Sequence, residues 1–242
     1  MSLRHATLRY VLLALGAVLL AAAIALAAWP APAACSPSTV GPGQQEAGQG
    51  AMRQAGFDPQ RIAYLEEAGW KAYYDRNWPQ VLALMVQMNR EQFCMPLPTA
   101  IAGAIDIVRA SIAFAPVDND IPAATAHLQA FYAKARRARG LQADAKTLAA
   151  LEMDYWIVHR QLAVARKQAP DHTGDITPMV ESLAKLHAAL FAAPPAALQR
   201  SAELRAEAAA TVDRITGGYS TDIPGDWQRI EQLLGQAYGA LF

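Results

Sequence analysis

The chain reads as an all-α protein: an N-terminal transmembrane helix, then a compact bundle of about eight helices arranged as antiparallel hairpins. Three observations lead there. From Phe57 onward apolar residues recur at helical spacing, and no segment alternates as a strand would. Proline, aspartate, asparagine and glycine fall where helices start and stop. Ahead of that region, an unbroken apolar run extends from Tyr10 to Trp29.

That run is 20 residues long. At helical rise it covers about 30 Å, the hydrocarbon thickness of a bilayer. Arg4, His5 and Arg9 precede it, and no acidic residue occurs before Glu46. Cations on the near side only predict a cytoplasmic N-terminus, with everything after the run outside the cytoplasmic membrane. Three fates are open to residues 1–35. An uncleaved anchor, spanning the lipid bilayer through residues 10–29, fits the full-length run with Tyr10 and Trp29 as interfacial aromatics. A cleaved signal peptide fits Ala25-Leu26-Ala27 or Ala31-Pro32-Ala33, although its apolar region is usually shorter. A lipoprotein signal would use Cys35, but Pro32 stands where an aliphatic residue is expected. The anchor is the preferred expectation.

Residues 36–56 form a linker; Pro37, Pro42, Gly41, Gly43, Gly48 and Gly50 neither continue a helix nor pack a strand. The remaining domain, 57–242, divides by its punctuation. Asp58-Pro59 opens the first helix, with Ile62, Leu65, Gly69, Ala72 and Tyr73 on one face. Asn77-Trp78-Pro79 opens the second, which ends near Cys94 because prolines follow. The third runs from about Thr99 to Ala115. Asp120 caps the fourth and Gly140 ends it. The fifth, about Asp144 to Gln168, carries apolar residues nearly all round and reads as the most buried helix, with Trp156 as its keystone. Thr177-Pro178 opens the sixth. Pro194 and Pro195 precede an alanine-rich seventh that stops at Gly217-Gly218, and Asp226 starts the eighth.

The first pairs, Gly69-Trp70 to Leu82 and the one ending in Asp120-Ile121-Pro122, resemble the hairpins of tetratricopeptide-type solenoids. The spacing from Trp78 to Ile121 exceeds the ~34-residue period of that repeat, so no family is assigned.

Composition narrows the function. Lys+Arg and Asp+Glu are both 21, giving a net charge of zero. A nucleic-acid partner is not expected, since phosphate neutralisation needs surplus cations. Two cysteines cannot build a four-thiolate zinc site. Phosphate-binding loops, Gly-x-Ser-x-Gly elbows, haem-attachment motifs, Glu-x-x-His pairs and His-Glu-x-x-His do not occur, so no cofactor or metal is expected and the chain leans away from enzymes.

Glu152, Tyr155, His159 and His187 are the weak catalytic candidates. Glu152 and His159 lie two turns apart on one side of the fifth helix and could line a pocket with Tyr155 between them. Each reads first as half-buried and paired with a residue on a neighbouring helix, and His187 on an apolar face reads first as a hydrogen-bonded core histidine. Asp106 and Arg109 read as an i,i+3 ion pair. Asp118-Asn119-Asp120 lacks the glycine and glutamate of a calcium loop, so it reads as capping. Asp171 to Asp175 reads as a solvated loop. Lys134, Arg136, Arg137 and Arg139 complement a helix C-terminus. Trp70, Tyr73, Tyr74, Trp78 and Phe93 read mostly as core. Cys94 reads as a buried free thiol, though compartment allows a bond to Cys35.

The functional expectation is a single-pass membrane protein displaying a helical domain outside the cytoplasm, binding another protein or an envelope component. The alternative is a small helical-bundle enzyme or ligand-binding protein with a Glu/His pocket. Convergence of Glu152, His159 and His187 on one pocket would favour the alternative.

Overall fold

The computed structural model describes Cys35 and residues 56–241. The expected anchor and most of the linker lie outside the described residues. Among those described there are eight α-helices, one 3-10 turn and no strand. They are α1 (Pro59–Tyr74), α2 (Trp78–Phe93), α3 (Leu97–Phe114), α4 (Ile121–Arg139), α5 (Ala145–Gln168), α6 (Thr177–Phe191), α7 (Gln199–Gly217) and α8 (Ile223–Gly239). The 3-10 turn, Pro195–Leu198, leads into α7.

Local chemistry sets these bounds. Asp58, Asn77, Asp120, Asp144 and Asp222 each accept a first-turn backbone N–H, closing the helix N-termini. Gly140 and Gly218 end α4 and α7 in the left-handed conformation that glycine adopts without penalty. Asp222, not Asp226, starts the last helix; Asp226 sits in its first turn and binds Arg214 at 2.5 Å. Pro98 lies inside the first turn of α3, where its missing N–H has no intrahelical partner to lose, so that helix starts two residues before Thr99.

Connections run from three residues, 75–77, to eight, 169–176. Each helix therefore turns back along its predecessor. Every helix packs on the next, and α8 packs on both α7 and α1. The circuit closes: the helices form a ring rather than an open solenoid. One continuous apolar core draws on all eight, from Ile62 and Phe93 through Phe131 and Leu148 to Leu204 and Leu234. The alternation of direction defines two ends. One holds the N-termini of α1 and α3 with the C-termini of α2 and α4. The other holds the α1–α2, α3–α4, α5–α6 and α7–α8 connections.

The most buried helices are α6 and α7, with nine buried residues each, not α5 with five. Trp156, Ile157 and Val158 are only half-buried. An all-round apolar helix needs cover on every side, but α5 meets chiefly α4 and α6 and leaves one face open. Helix α3 alone among the described residues has the length and mean hydropathy, 1.5, to cross a membrane; here it is a wall helix between α2 and α4.

A disulfide joins Cys35 to Cys94, correcting the free-thiol expectation. Cys94 ends α2 in the left-handed conformation, φ 54°, beside Arg139 of α4. The chain ahead of the domain is thus tied to the end of the ring that carries the start of α1.

Candidate functional site

Inside the ring the apolar core gives way to a polar centre. Arg205 of α7 donates through Nη2 to Glu66 Oε1 of α1 at 2.7 Å. The Tyr238 hydroxyl of α8 donates to the other oxygen of Glu66. On its far side Arg205 Nη1 donates to His187 Nε2 of α6 at 3.4 Å, leaving His187 Nδ1–H for Ser201 Oγ at 3.2 Å. Glu66, Tyr238, His187 and Ser201 are all buried.

Burial disfavours the imidazolium and the neighbouring guanidinium repels it, so the His187 pKa falls to about 3. Burial, reinforced by the Glu66 carboxylate, raises the Tyr238 hydroxyl well above its ordinary range. Burial also works against the Arg205 charge, but Glu66 and the surrounding oxygens more than offset it and hold the guanidinium protonated. Near neutral pH none of these groups exchanges a proton readily. The centre is a set of paired groups spanning the ring, in which the buried Nε of Arg205 has no hydrogen-bond partner.

The remaining sequence candidates have partners of their own. Glu152 accepts from Tyr132 Oη at 3.0 Å and from Trp156 Nε1 at 2.8 Å. His159 Nε2 lies 3.0 Å from Asp213 of α7, whose other oxygen holds Arg166. Tyr155 is buried between the groups: its ring stacks on His159 with centroids 5.8 Å apart, and the Arg205 guanidinium lies 5.8 Å from its centroid. Glu152, His159 and His187 therefore each take separate partners and do not bond one another.

Sequence reasoning missed Glu66, Arg205 and Tyr238. The signal was present: Glu66 follows Ile62 by four residues, on the face read as apolar, and Arg205 stands among Ala202, Ala206 and Ala209. It also missed Arg160. That side chain lies 3.8 Å over the Phe114 ring and donates to the carbonyls of Phe114 at 2.7 Å and Pro116 at 3.1 Å, closing the C-terminus of α3 from another helix.

The first-hairpin aromatics divide. Phe93 is buried and Trp70 half-buried, but Tyr73, Tyr74 and Trp78 are 37, 44 and 53% exposed. Tyr73 meets Tyr74 and Trp78 edge-on, with centroids 5.3 and 5.6 Å away. They cluster because α1 must turn within three residues, with Arg76 at φ 58°, which brings the end of α1 beside the start of α2. The expectation of core is corrected for these three.

Asp106 binds Lys134 of α4 at 2.5 Å rather than Arg109. Asp120 caps α4 as expected. Of the basic cluster at the end of α4, Arg136 bonds the Leu141 carbonyl at 3.1 Å and Arg139 is buried. The 171–175 loop is not wholly solvated: His172 stacks on Tyr219 at 4.3 Å. Among the described residues no group of three or more His, Cys, Asp or Glu could hold a metal ion.

Comparison with known family models, curated proteins and solved structures finds no match.

Proposed function

We propose that the protein is a single-pass membrane-anchored binding module. Residues 10–29 hold it in the cytoplasmic membrane with the N-terminus inside, and the helical ring works outside, engaging another protein or an envelope component. The carrying observation is the Tyr73, Tyr74 and Trp78 cluster. Three touching rings stay open to solvent at one end of the domain. Contiguous exposed aromatics of this kind are costly to leave bare and are the residue types that dominate interface energetics.

Two features support the placement. The Cys35–Cys94 disulfide suits an oxidising compartment rather than the cytoplasm. It also ties the chain from the membrane to the end of the ring opposite the aromatic cluster, leaving that cluster facing away from the tether. The alternative, a Glu/His catalytic pocket, needs Glu152, His159 and His187 together, and they take separate partners.

The test is the size of the complex formed by the full chain in mild-detergent extracts of native membranes. The wild-type chain is expected in a larger assembly, and a Tyr73→Ser/Tyr74→Ser/Trp78→Ser variant at the size of the chain alone with an unchanged thermal midpoint. An unchanged assembly in the variant would contradict the reading.

A further inference from the structure

At the same end of the ring as the aromatic cluster, a second cleft of about 220 Å³ opens between the C-terminal halves of α5 and α7 and the two loops that follow them. Its polar lining carries Arg166, Arg214, Arg229 and His172 with one carboxylate, Glu207, and with Thr173, Thr211 and Tyr219. Arg166 is only 6% exposed. Its Nη2 binds Asp213, but its Nε and Nη1 are buried with no hydrogen-bond partner. Arg214 binds Asp226 while its buried Nε is likewise unpartnered. The buried Tyr219 hydroxyl has no partner either.

Unpaired buried donors are rare in folded proteins because each forfeits its bonds to water. Here four such donors belong to three side chains of residues that line one cleft, on two helices and a loop, and none of the three neighbouring carboxylates takes them. Those carboxylates, Asp213, Asp226 and Glu207, hold other edges of the three arginines and position them. The cleft is kept tight by Gly174: a Cβ there would stand 3.0 Å from Arg166 Cγ. His172, held at φ 54° and bonded through Nδ1 to the Arg166 carbonyl at 3.2 Å, stacks on the Tyr219 ring.

We propose that this cleft binds a phosphate group. Donors arriving from α5, α7 and the following loop suit a tetrahedral oxyanion, whose oxygens point in several directions, better than a planar carboxylate. Arginine forks and a neutral hydroxyl give hydrogen bonds to the charged oxygens, while the three resident carboxylates balance the three guanidinium charges, so binding is selective by geometry and modest in strength. The phosphate comes either from a small soluble ester or from a phospholipid headgroup; both present the same group.

Calorimetric titration of the full chain in neutral detergent micelles separates these sources. The probes are inorganic phosphate, glycerol phosphate and a short-chain phosphatidylglycerol. Saturable binding of at least one is expected, with dissociation constants near about 1 mM or tighter. Tighter binding of the lipid identifies a headgroup, and tighter binding of glycerol phosphate a soluble ester. Tyr219→Phe removes only an unpartnered oxygen, so it should leave the thermal midpoint unchanged and weaken phosphate binding about tenfold. Gly174→Ala, which presses on Arg166, should weaken it as well. Heat-silent titrations with all three probes, or equal affinity in Tyr219→Phe, would overturn the proposal.

Discussion

Arg205 and Glu66 stand 139 positions apart in the chain and 2.7 Å apart in space, joining α7 to α1 across the interior of the ring. A buried pair of this kind costs desolvation to form, and losing one partner leaves the other charge uncompensated. Arg205→Met should therefore cost about 3 kcal/mol of unfolding free energy, since Glu66 would keep only the Tyr238 hydroxyl. Adding Glu66→Leu should recover much of that loss. Urea denaturation of the two single variants and the double variant checks it; additive losses would mean that the residues act independently.

His187 gives the acid response its sign. Its folded pKa of about 3 lies below its ordinary value of 6.5. Between those values the unfolded chain binds the extra proton, so stability falls as the pH drops from 6.5 toward 3 and does not change through this group above 6.5. The loss should reach a few kcal/mol at the acid end. His187→Gln should flatten that slope. Unfolding free energy measured across the range checks it, and an equally steep slope in the variant would assign the acid sensitivity elsewhere.

The Cys35–Cys94 bond closes a long loop, with a sequence separation of 59. On the chain-entropy account such a crosslink stabilises by about 4 kcal/mol. Reduction, or Cys94→Ser, should lower the thermal midpoint while circular dichroism keeps its helical form, because the core of eight helices does not depend on the bond. A midpoint unmoved by reductant would show that the bond constrains little in the unfolded chain.

Much of the fold is legible in the sequence. Asp58-Pro59, Asn77-Trp78-Pro79, Asp120 and Gly140 act locally, so their residues alone locate helix ends. Ring closure was not legible, because contact between α8 and α1 depends on chain segments far apart in sequence. The free-thiol expectation for Cys94 fails for a related reason: the glycine- and proline-rich surroundings of Cys35 do not reveal that it reaches the end of α2. The burial of α5 was overestimated because periodicity reports which sides are apolar, not which sides have neighbours. Polar centres are harder still: Glu66 stands on the apolar face of α1, but its partners Arg205 and Tyr238 arrive from the other end of the chain.

Trp156 illustrates the consequence for stability. Its ring packs 5.5 Å from Phe114, and its Nε1 bonds Glu152, yet it is half-buried. Trp156→Ala should cost about 2 kcal/mol, below the 3–5 kcal/mol of a fully enclosed tryptophan. Chemical denaturation measures it. A loss above about 4 kcal/mol would restore the buried-keystone expectation.

The central claim is that the protein acts by binding through the ring end bearing Tyr73, Tyr74 and Trp78. The most direct measurement places a photo-reactive amino acid at position 78 of the full chain in native membranes. Its control occupies position 200, where the exposed Arg200 starts the opposite end of α7. The account predicts a discrete cross-linked product from position 78, none from position 200, and its loss in Tyr73→Ser/Tyr74→Ser. No product at position 78, or equal products from both ends, would contradict it.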